Sequence, residues 1–206
     1  MVLFAVRLVL RPWSFVQCFV LARTTDYNEL EAKRGGKQMS TDLRQLLQII
    51  DQAYDHASWH GPSLRGSIRR VSAAEAAWRP GPQRHNIWEI TVHAAYWKYA
   101  VWRRLTGAKS GSFELKGSNW FLRPAKNIGP GTSAAGLFDK AWRDDVALLD
   151  RMHVKLRAAI EALPAHALNR RVGRSKVTNF YVISGIAAHD VYHAGQIQLL
   201  KRLQND

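Results

Sequence analysis

The stretch GIAAHDVYHAGQIQLLKRL, Gly185 to Leu203, is the part of the chain that most strongly predicts the fold. Apolar residues recur in it, and just before it, at spacings of three and four, the period of one face of an α-helix. The positions on this face are Val182, Ile186, His189, His193, Ile197 and Leu200. Because such a face packs against a core, the two histidines among these six residues should point inward.

The same reasoning predicts helices elsewhere in the chain. Long helical patterns cover residues 41–58, 86–105, 137–163 and 178–203. A further stretch, residues 62–71, continues the first pattern, and Ser72 and Glu75 have the spacing of a capping box. Residues 107–133 are rich in Gly, Ser and Pro and predict a long connection. Since no segment has a strand pattern, we predict an all-α four-helix bundle with one long crossover.

Composition narrows the class of protein. The chain of 206 residues is 47% hydrophobic and 22% charged, as in ordinary globular proteins. The formal charge of +14 indicates affinity for anions without choosing among nucleic acid, phosphorylated metabolites and membrane surfaces. Cys18 is the only cysteine, so an internal disulfide and cysteine-based metal sites are excluded. We expect a cytoplasmic protein.

The first 38 residues, MVLFAVRLVLRPWSFVQCFVLARTTDYNELEAKRGGKQ, differ from the rest. Charged residues and a proline interrupt their apolar run, so it falls short of the roughly 18 residues of a membrane-spanning helix. A signal peptide is the alternative, but its positive charge should precede the apolar region. Met39 is followed directly by a predicted helix start. We therefore expect residues 1–38 to be an extension, arising from a mis-assigned start, and residues 39–206 to be the domain.

Three histidines are candidates for a metal site. His189 and His193 are four residues apart, which puts their Cβ atoms about 5–6 Å apart on one helix face. By the same spacing rule His93 points inward from the helix that begins at Asn86. Each could instead be a hydrogen-bonded core residue, but a shared cation satisfies adjacent buried imidazoles together. Three ligands leave a position open for water or substrate, as in catalytic sites.

We therefore predict one divalent ion bound by His93, His189 and His193. Imidazole chemistry favours zinc or nickel and is compatible with iron or manganese. His56 and His60 are also four residues apart, but Gly61-Pro62 should end the helix there, so a ligand role for His60 is the less favoured alternative. We expect solvent-exposed roles for His85, His153 and His166. Glu89, four residues before His93, is either a helix cap or a proton shuttle.

Two segments resemble a known family. SAAEAAWRPGPQRHNIWEITVHAAYWKYAVWRRLTG, followed much later by GIAAHDVYHAGQIQLLKRL, is similar to the DinB-like (YfiT-like) superfamily, whose members are regarded as metalloenzymes. The resemblance extends from about Thr41 to Leu203. It implies a four-helix bundle, a homodimer, and a divalent metal on the same three histidines. WHGPSL, Trp59 to Leu64, also resembles a family segment and implies a substrate-pocket role for Trp59 and His60.

The resemblance implies a class of reactions more than a single one. Relatives with a known activity include transferases and isomerases that use bacillithiol, mycothiol or glutathione. We therefore expect a metal-dependent enzyme that transfers a small-molecule thiol onto an electrophile. One alternative is a hydrolase that uses metal-bound hydroxide. The other is a basic binding module, a hypothesis based on the net charge and on the segment RRVGRSK, Arg170 to Lys176. No nucleic-acid-binding motif accompanies that segment, so nucleic acid is not the expected partner.

Overall fold

The structure, a computed structural model, describes residues 39–125, 136–171 and 175–205. The predicted extension, residues 1–38, and part of the predicted crossover lie outside these residues. The extension and its mis-assigned start therefore stay predictions.

Six α-helices make up the described part of the chain. They are α1 (Thr41–Tyr54), α2 (Leu64–Ser67), α3 (Ala73–Ala77), α4 (Ile87–Thr106), α5 (Leu137–Glu161) and α6 (Asn179–Leu203). A 3₁₀ turn, Ala165–Ala167, follows α5, and a single β-bridge joins Arg171 to Thr178. The described residues form no strand, so the all-α fold class is confirmed. The finer description as a four-helix bundle stays a prediction.

The four longer helices pack around one another. α4 contacts α5 and α6, and α1 contacts the same two helices from the other side. Trp88 near the start of α4 is fully buried, and its indole N–H donates to Asp145 on α5 at 2.6 Å. Trp142 of α5 donates in turn to the Val71 carbonyl at 2.8 Å. The first bond ties α4 to α5, and the second ties α5 to the segment before α3. α6 packs against α4 as well.

Side-chain caps set the helix starts. Ser72 and Glu75 form the predicted capping box at α3, with both reciprocal bonds present. Asn86 accepts from the Glu89 backbone N–H at 2.7 Å and so begins α4 about two turns before His93. α4 ends at Gly107, whose φ of +67° is the left-handed conformation that glycine adopts without strain.

The first two helices are shorter than predicted. α1 ends at Tyr54, although the sequence pattern predicted a helix to about Ser58. Local side-chain hydrogen bonds compete with the helix there. His56 Nδ1–H donates to the Asp55 carboxylate at 2.6 Å, and the Ser58 hydroxyl donates to the Gly61 carbonyl at 2.8 Å. Of the predicted stretch 62–71, only Leu64–Ser67 is helical. Among the described helices, none combines the length and apolar character that crossing a membrane requires.

Candidate metal centre

Two adjacent helices bring the three predicted histidines together. His93 comes from α4, and His189 and His193 come from successive turns of α6. The Nε2 atom of His189 lies 3.1 Å from Nε2 of His93 and 3.1 Å from Nε2 of His193. All three residues can offer ligand atoms within 4.8 Å of one another. The inward orientation predicted from helical spacing thus brings the three rings to one point.

Hydrogen bonds at the far side of two rings fix their tautomers. His93 Nδ1–H donates to the Asn119 carbonyl at 2.8 Å, and His193 Nδ1–H donates to Gln196 Oε1 at 2.7 Å. The Nε2 atoms of these neutral rings therefore carry lone pairs that face His189. Only His189 has a proton to give, so at most one of the two close contacts is a hydrogen bond. A cation between the nitrogens would satisfy all three.

The spacing of the nitrogens suits a metal ion. In a tetrahedral site with metal–nitrogen bonds of about 2.0–2.1 Å, ligand nitrogens lie about 3.3 Å apart. The two observed separations of 3.1 Å are close to that value. His189 Nδ1 is buried and has no hydrogen-bond partner among the described residues. The cluster therefore fits a divalent ion better than it fits a self-contained hydrogen-bond network.

Electrostatics keep the three rings in the form that binds metals. Burial is the main cause that lowers the pKa of His93, and it lowers the pKa of His189 to about 3 and that of His193 to about 4. The neighbouring imidazoles add to this for His189, since a proton on one disfavours a proton on the next. Near neutral pH all three imidazoles are uncharged, which is the state a metal requires.

A tryptophan from the crossover braces His93. The Trp120 indole stacks on the His93 ring with centroids 3.8 Å apart and planes 12° apart. His85 stacks on the same indole at 3.6 Å and 6°. Two rings cannot share one indole face at such distances, so Trp120 lies between the two imidazoles. This sandwich, together with the Asn119 carbonyl, holds the orientation of His93.

Glu89 anchors the segment that supplies Asn119 and Trp120. Its buried carboxylate receives two bonds from Arg79, at 2.5 and 2.8 Å, and one from His85 at 2.9 Å. It also accepts from the backbone N–H of Arg123 at 3.2 Å. Bonding to Arg79 and His85 outweighs the effect of burial and lowers the pKa of Glu89. The carboxylate is thus held ionised by its ion pair, and its side chain does not close a capping box at α4.

The remaining predicted site residues, Trp59 and His60, lie in the connection between α1 and α2. Trp59 is 100% exposed in the connection between α1 and α2. His60 is exposed too, and it lines a shallow pocket with residues of α1 and α6. Neither is among the residues that the structure groups as potential metal ligands. Their role in a substrate pocket stays a prediction.

Two histidines predicted to be solvent-exposed are in contact with other rings. His85 is partly exposed but packs on Trp120. The prediction for His153 was wrong, because it is buried and its ring stacks on Tyr54 at 3.6 Å. Its position on the inward face of α5, between Leu149 and Leu156, could have revealed this. His166, by contrast, is exposed as predicted.

A second group of polar residues, most of them buried, adjoins the cluster, since Asp190 directly follows His189 in α6. Lys98 of α4 donates to Asp190 of α6, and their side chains are 0% and 1% exposed. The Lys98 ammonium lies 4.7 Å above the Tyr54 ring, and the Tyr54 hydroxyl donates to Asp150. We refer to Lys98, Asp190, Tyr54, Asp150 and His153 as the polar seam.

Burial governs the ionisation of the polar seam. It raises the pKa of Asp190, although the charge of Lys98 opposes this, and it raises the pKa of Tyr54. It also lowers the pKa of His153 to about 2, with the charges of Lys98 and Arg157 acting in the same direction. His153 is therefore neutral throughout the physiological range.

Comparison with known proteins identifies one family. The sequence model described as the DinB superfamily matches residues 56–197, which is more than half of the chain and includes all three clustered histidines. Searches of curated proteins and of solved structures gave no match.

Proposed function

The chain belongs to the DinB superfamily, and from that premise we propose that it is a divalent-metal-dependent enzyme whose ligands are His93, His189 and His193. The observation that carries this proposal is the meeting of three Nε2 atoms, with the Nδ1 protons of two rings directed away from the meeting point. Imidazole nitrogens favour zinc or nickel over iron and manganese.

Once bound, such an ion supplies Lewis-acid polarisation and an open coordination position for a substrate atom. The chain contributes the geometry. His93 is held from one side by the Asn119 carbonyl and from the ring face by Trp120, while Gln196 holds His193. Because the rings are already oriented, little side-chain freedom is lost when they bind.

The reaction that we propose is transfer of a small-molecule thiol onto an electrophile. Residues 39–206 contain no cysteine, so a sulfur nucleophile must come from a second substrate. The excess of basic residues favours anionic molecules such as glutathione or bacillithiol. In the transfer, the S–H bond breaks and the sulfur forms the new bond to the electrophilic carbon. The leaving group on that carbon departs with the electron pair of its broken bond, and the thiol proton balances its charge.

The experiment begins with metal analysis of full-length protein purified without an affinity tag. The metal-loaded protein is then incubated with a reactive electrophile, with and without each thiol, and product formation is followed. We expect thiol-dependent turnover that disappears in His193→Ala and persists in His166→Ala, which removes an exposed histidine. Turnover without thiol would support hydrolysis instead. No turnover, together with salt-sensitive binding to nucleic acid, would favour the binding module.

A homodimer belongs with this proposal. Apolar side chains on α6 are exposed at Phe180, Tyr181 and Leu199, and a second copy could cover them. Light scattering of the full-length protein at two concentrations measures the mass directly. A monomer at both concentrations would contradict the dimer and leave the metal centre unaffected.

A further inference from the structure

We propose that Trp97 forms a wall of the substrate site and that the site takes a ligand with a flat aromatic or conjugated body. The inference rests on the proposed function, because it places the substrate beside the histidines that hold the ion. It adds the chemical class of the substrate, which the histidines alone leave open.

The position of Trp97 supports this role. It follows His93 by one turn of α4, and its ring centroid lies 6.3 Å from the His93 ring and 6.3 Å from the His189 ring. Although it adjoins the buried His93 and the half-buried His189, 39% of the Trp97 residue is exposed. Large apolar side chains left open beside a polar cluster are typical of ligand sites.

Exposure alone would not distinguish Trp97, because Trp59 is more exposed. What distinguishes Trp97 is that it is held in place. Its indole N–H donates to Asn119 Oδ1 at 3.0 Å, and the carbonyl of the same Asn119 accepts from His93. The open indole is therefore oriented relative to the metal ligands before any ligand binds, which reduces the entropy lost on binding.

Trp120 cannot serve the same purpose. Its two faces are covered by His85 and His93, so only its edge remains available. The planes of Tyr96, His93 and His189 lie at 80°, 69° and 61° to that of Trp97, so none of these three rings is stacked on its indole. Stacking between aromatic rings strengthens binding by about two- to twelvefold beyond the effect of the area that is buried.

The test uses three hydroxamates that share one metal-binding head. Benzohydroxamate has a flat ring, cyclohexanecarbohydroxamate a similar apolar bulk that is not flat, and acetohydroxamate only a methyl group. Their dissociation constants are measured by calorimetry on zinc-loaded, full-length protein, so that the readout is binding and not turnover. We expect benzohydroxamate to bind about tenfold more tightly than the cyclohexane compound.

Two substitutions separate stacking from the hydrogen bond to Asn119. Trp97→Leu and Trp97→Phe both remove the indole N–H, but only Phe keeps a flat ring. The preference for benzohydroxamate should disappear in Trp97→Leu and be largely retained in Trp97→Phe. Phe180→Leu, at an exposed aromatic residue more than two turns from His189, is the control and should keep the preference.

The outcomes distinguish this inference from the proposed function. Binding of all three hydroxamates with equal affinity would overturn the aromatic wall and leave the metal centre standing. A preference lost equally in the Leu and Phe variants would also overturn it, as would a preference lost in Trp59→Leu and not in Trp97→Leu. If no hydroxamate bound, and the protein retained no zinc, both the wall and the proposed function would fail.

Discussion

The histidine cluster and the polar seam are both largely buried sets of ionisable side chains that link α4 to α6, and the seam extends to α1 and α5. They differ in how the buried groups are compensated. In the polar seam the ammonium of Lys98 offsets the carboxylate of Asp190, and the Tyr54 hydroxyl has Asp150 as its acceptor. In the histidine cluster three nitrogens of one kind meet, and the described residues offer no cation to them. The charges of Lys98 and Asp190 are thus paired within the seam, although His153 Nδ1 and Asp190 Oδ1 have no hydrogen-bond partner among the described residues. The cluster brings together three nitrogens that a cation would satisfy.

The difference predicts which group stabilises the fold and which group serves function. Removing one member of a compensated pair leaves a buried charge, and that is costly. Removing one member of the histidine cluster deletes a ligand while relieving a crowded set of nitrogens. The first change should therefore act on folding, and the second should act on metal binding.

The largest effect is expected from Lys98→Met, which leaves Asp190 without its counter-ion. We expect the free energy of unfolding of the metal-free protein to fall by about 3–5 kcal/mol in urea titrations. The double variant with Asp190→Leu should recover most of the loss. Lys140→Met is the control, since it breaks an exposed ion pair with Asp144 and should cost about 1 kcal/mol or less. Equal losses in both lysine variants would refute the contrast.

The next effect is expected from His189→Ala, which removes the central nitrogen of the cluster. Metal affinity should fall on the order of a hundredfold or more, because even residues that only support ligands cost 10–100-fold. Without metal, unfolding should change less than in Lys98→Met. Metal titration and urea unfolding are measured on the same sample. A loss of stability as large as that of Lys98→Met, with metal still bound, would reverse the two assignments.

Acid should lower the stability of the metal-free protein through the histidine cluster. The folded-state pKa values of His189 and His193 are depressed to about 3 and about 4 from an ordinary value of 6.5. Their contribution is therefore complete above about pH 6.5, and the free energy of unfolding should fall as the pH is lowered toward 3. Bound metal should oppose the fall until protons displace it.

Unfolding of the metal-free protein between pH 7 and pH 4 measures this effect. His153 contributes in the same direction, because its pKa is lowered to about 2. The matched variant is His189→Ala, in which the loss on acidification should be smaller. An unchanged slope in that variant would show that the cluster does not account for the acid sensitivity.

The smallest effect is expected from Glu89→Gln. The charge of Glu89 is paired with Arg79, as in the polar seam, but its contacts hold the segment that supports His93. The ion pair with Arg79 is lost, so the segment carrying Asn119 and Trp120 should hold His93 less firmly. Metal affinity should fall about tenfold. Glu75→Gln weakens the capping box of α3 and is the control. It should lower stability slightly without changing metal affinity, and the prediction fails if the two variants bind metal alike.

What the sequence could predict follows from how local each signal is. Helical spacing alone predicted that His93, His189 and His193 lie on inward faces. The helix caps at Ser72 and Asn86 could be predicted from the residues next to them. The all-α class followed from the same periodicities. These features depend on residues within one or two turns of each other.

The braces of the site could not be predicted because they depend on contacts between distant segments. Trp120 and Asn119 lie in a connection without periodicity, and only the folded chain brings them against His93. The carboxylate of Glu89 looked like a cap, but it pairs with Arg79 and the Arg123 backbone. The end of α1 at Tyr54 was missed because short-range side-chain bonds ended the helix early.

Asn119 contacts both a proposed metal ligand and the proposed wall of the substrate site, which affects how the site can evolve. Its backbone, in the left-handed region at φ +64°, presents a carbonyl to His93, while its side chain holds Trp97. Asparagine is among the few residues other than glycine that adopt this conformation readily. A mutation to glycine would preserve the carbonyl and free the indole, whereas most other mutations would disturb both. A single substitution at position 119 can therefore change metal affinity and substrate preference together, or change substrate preference alone.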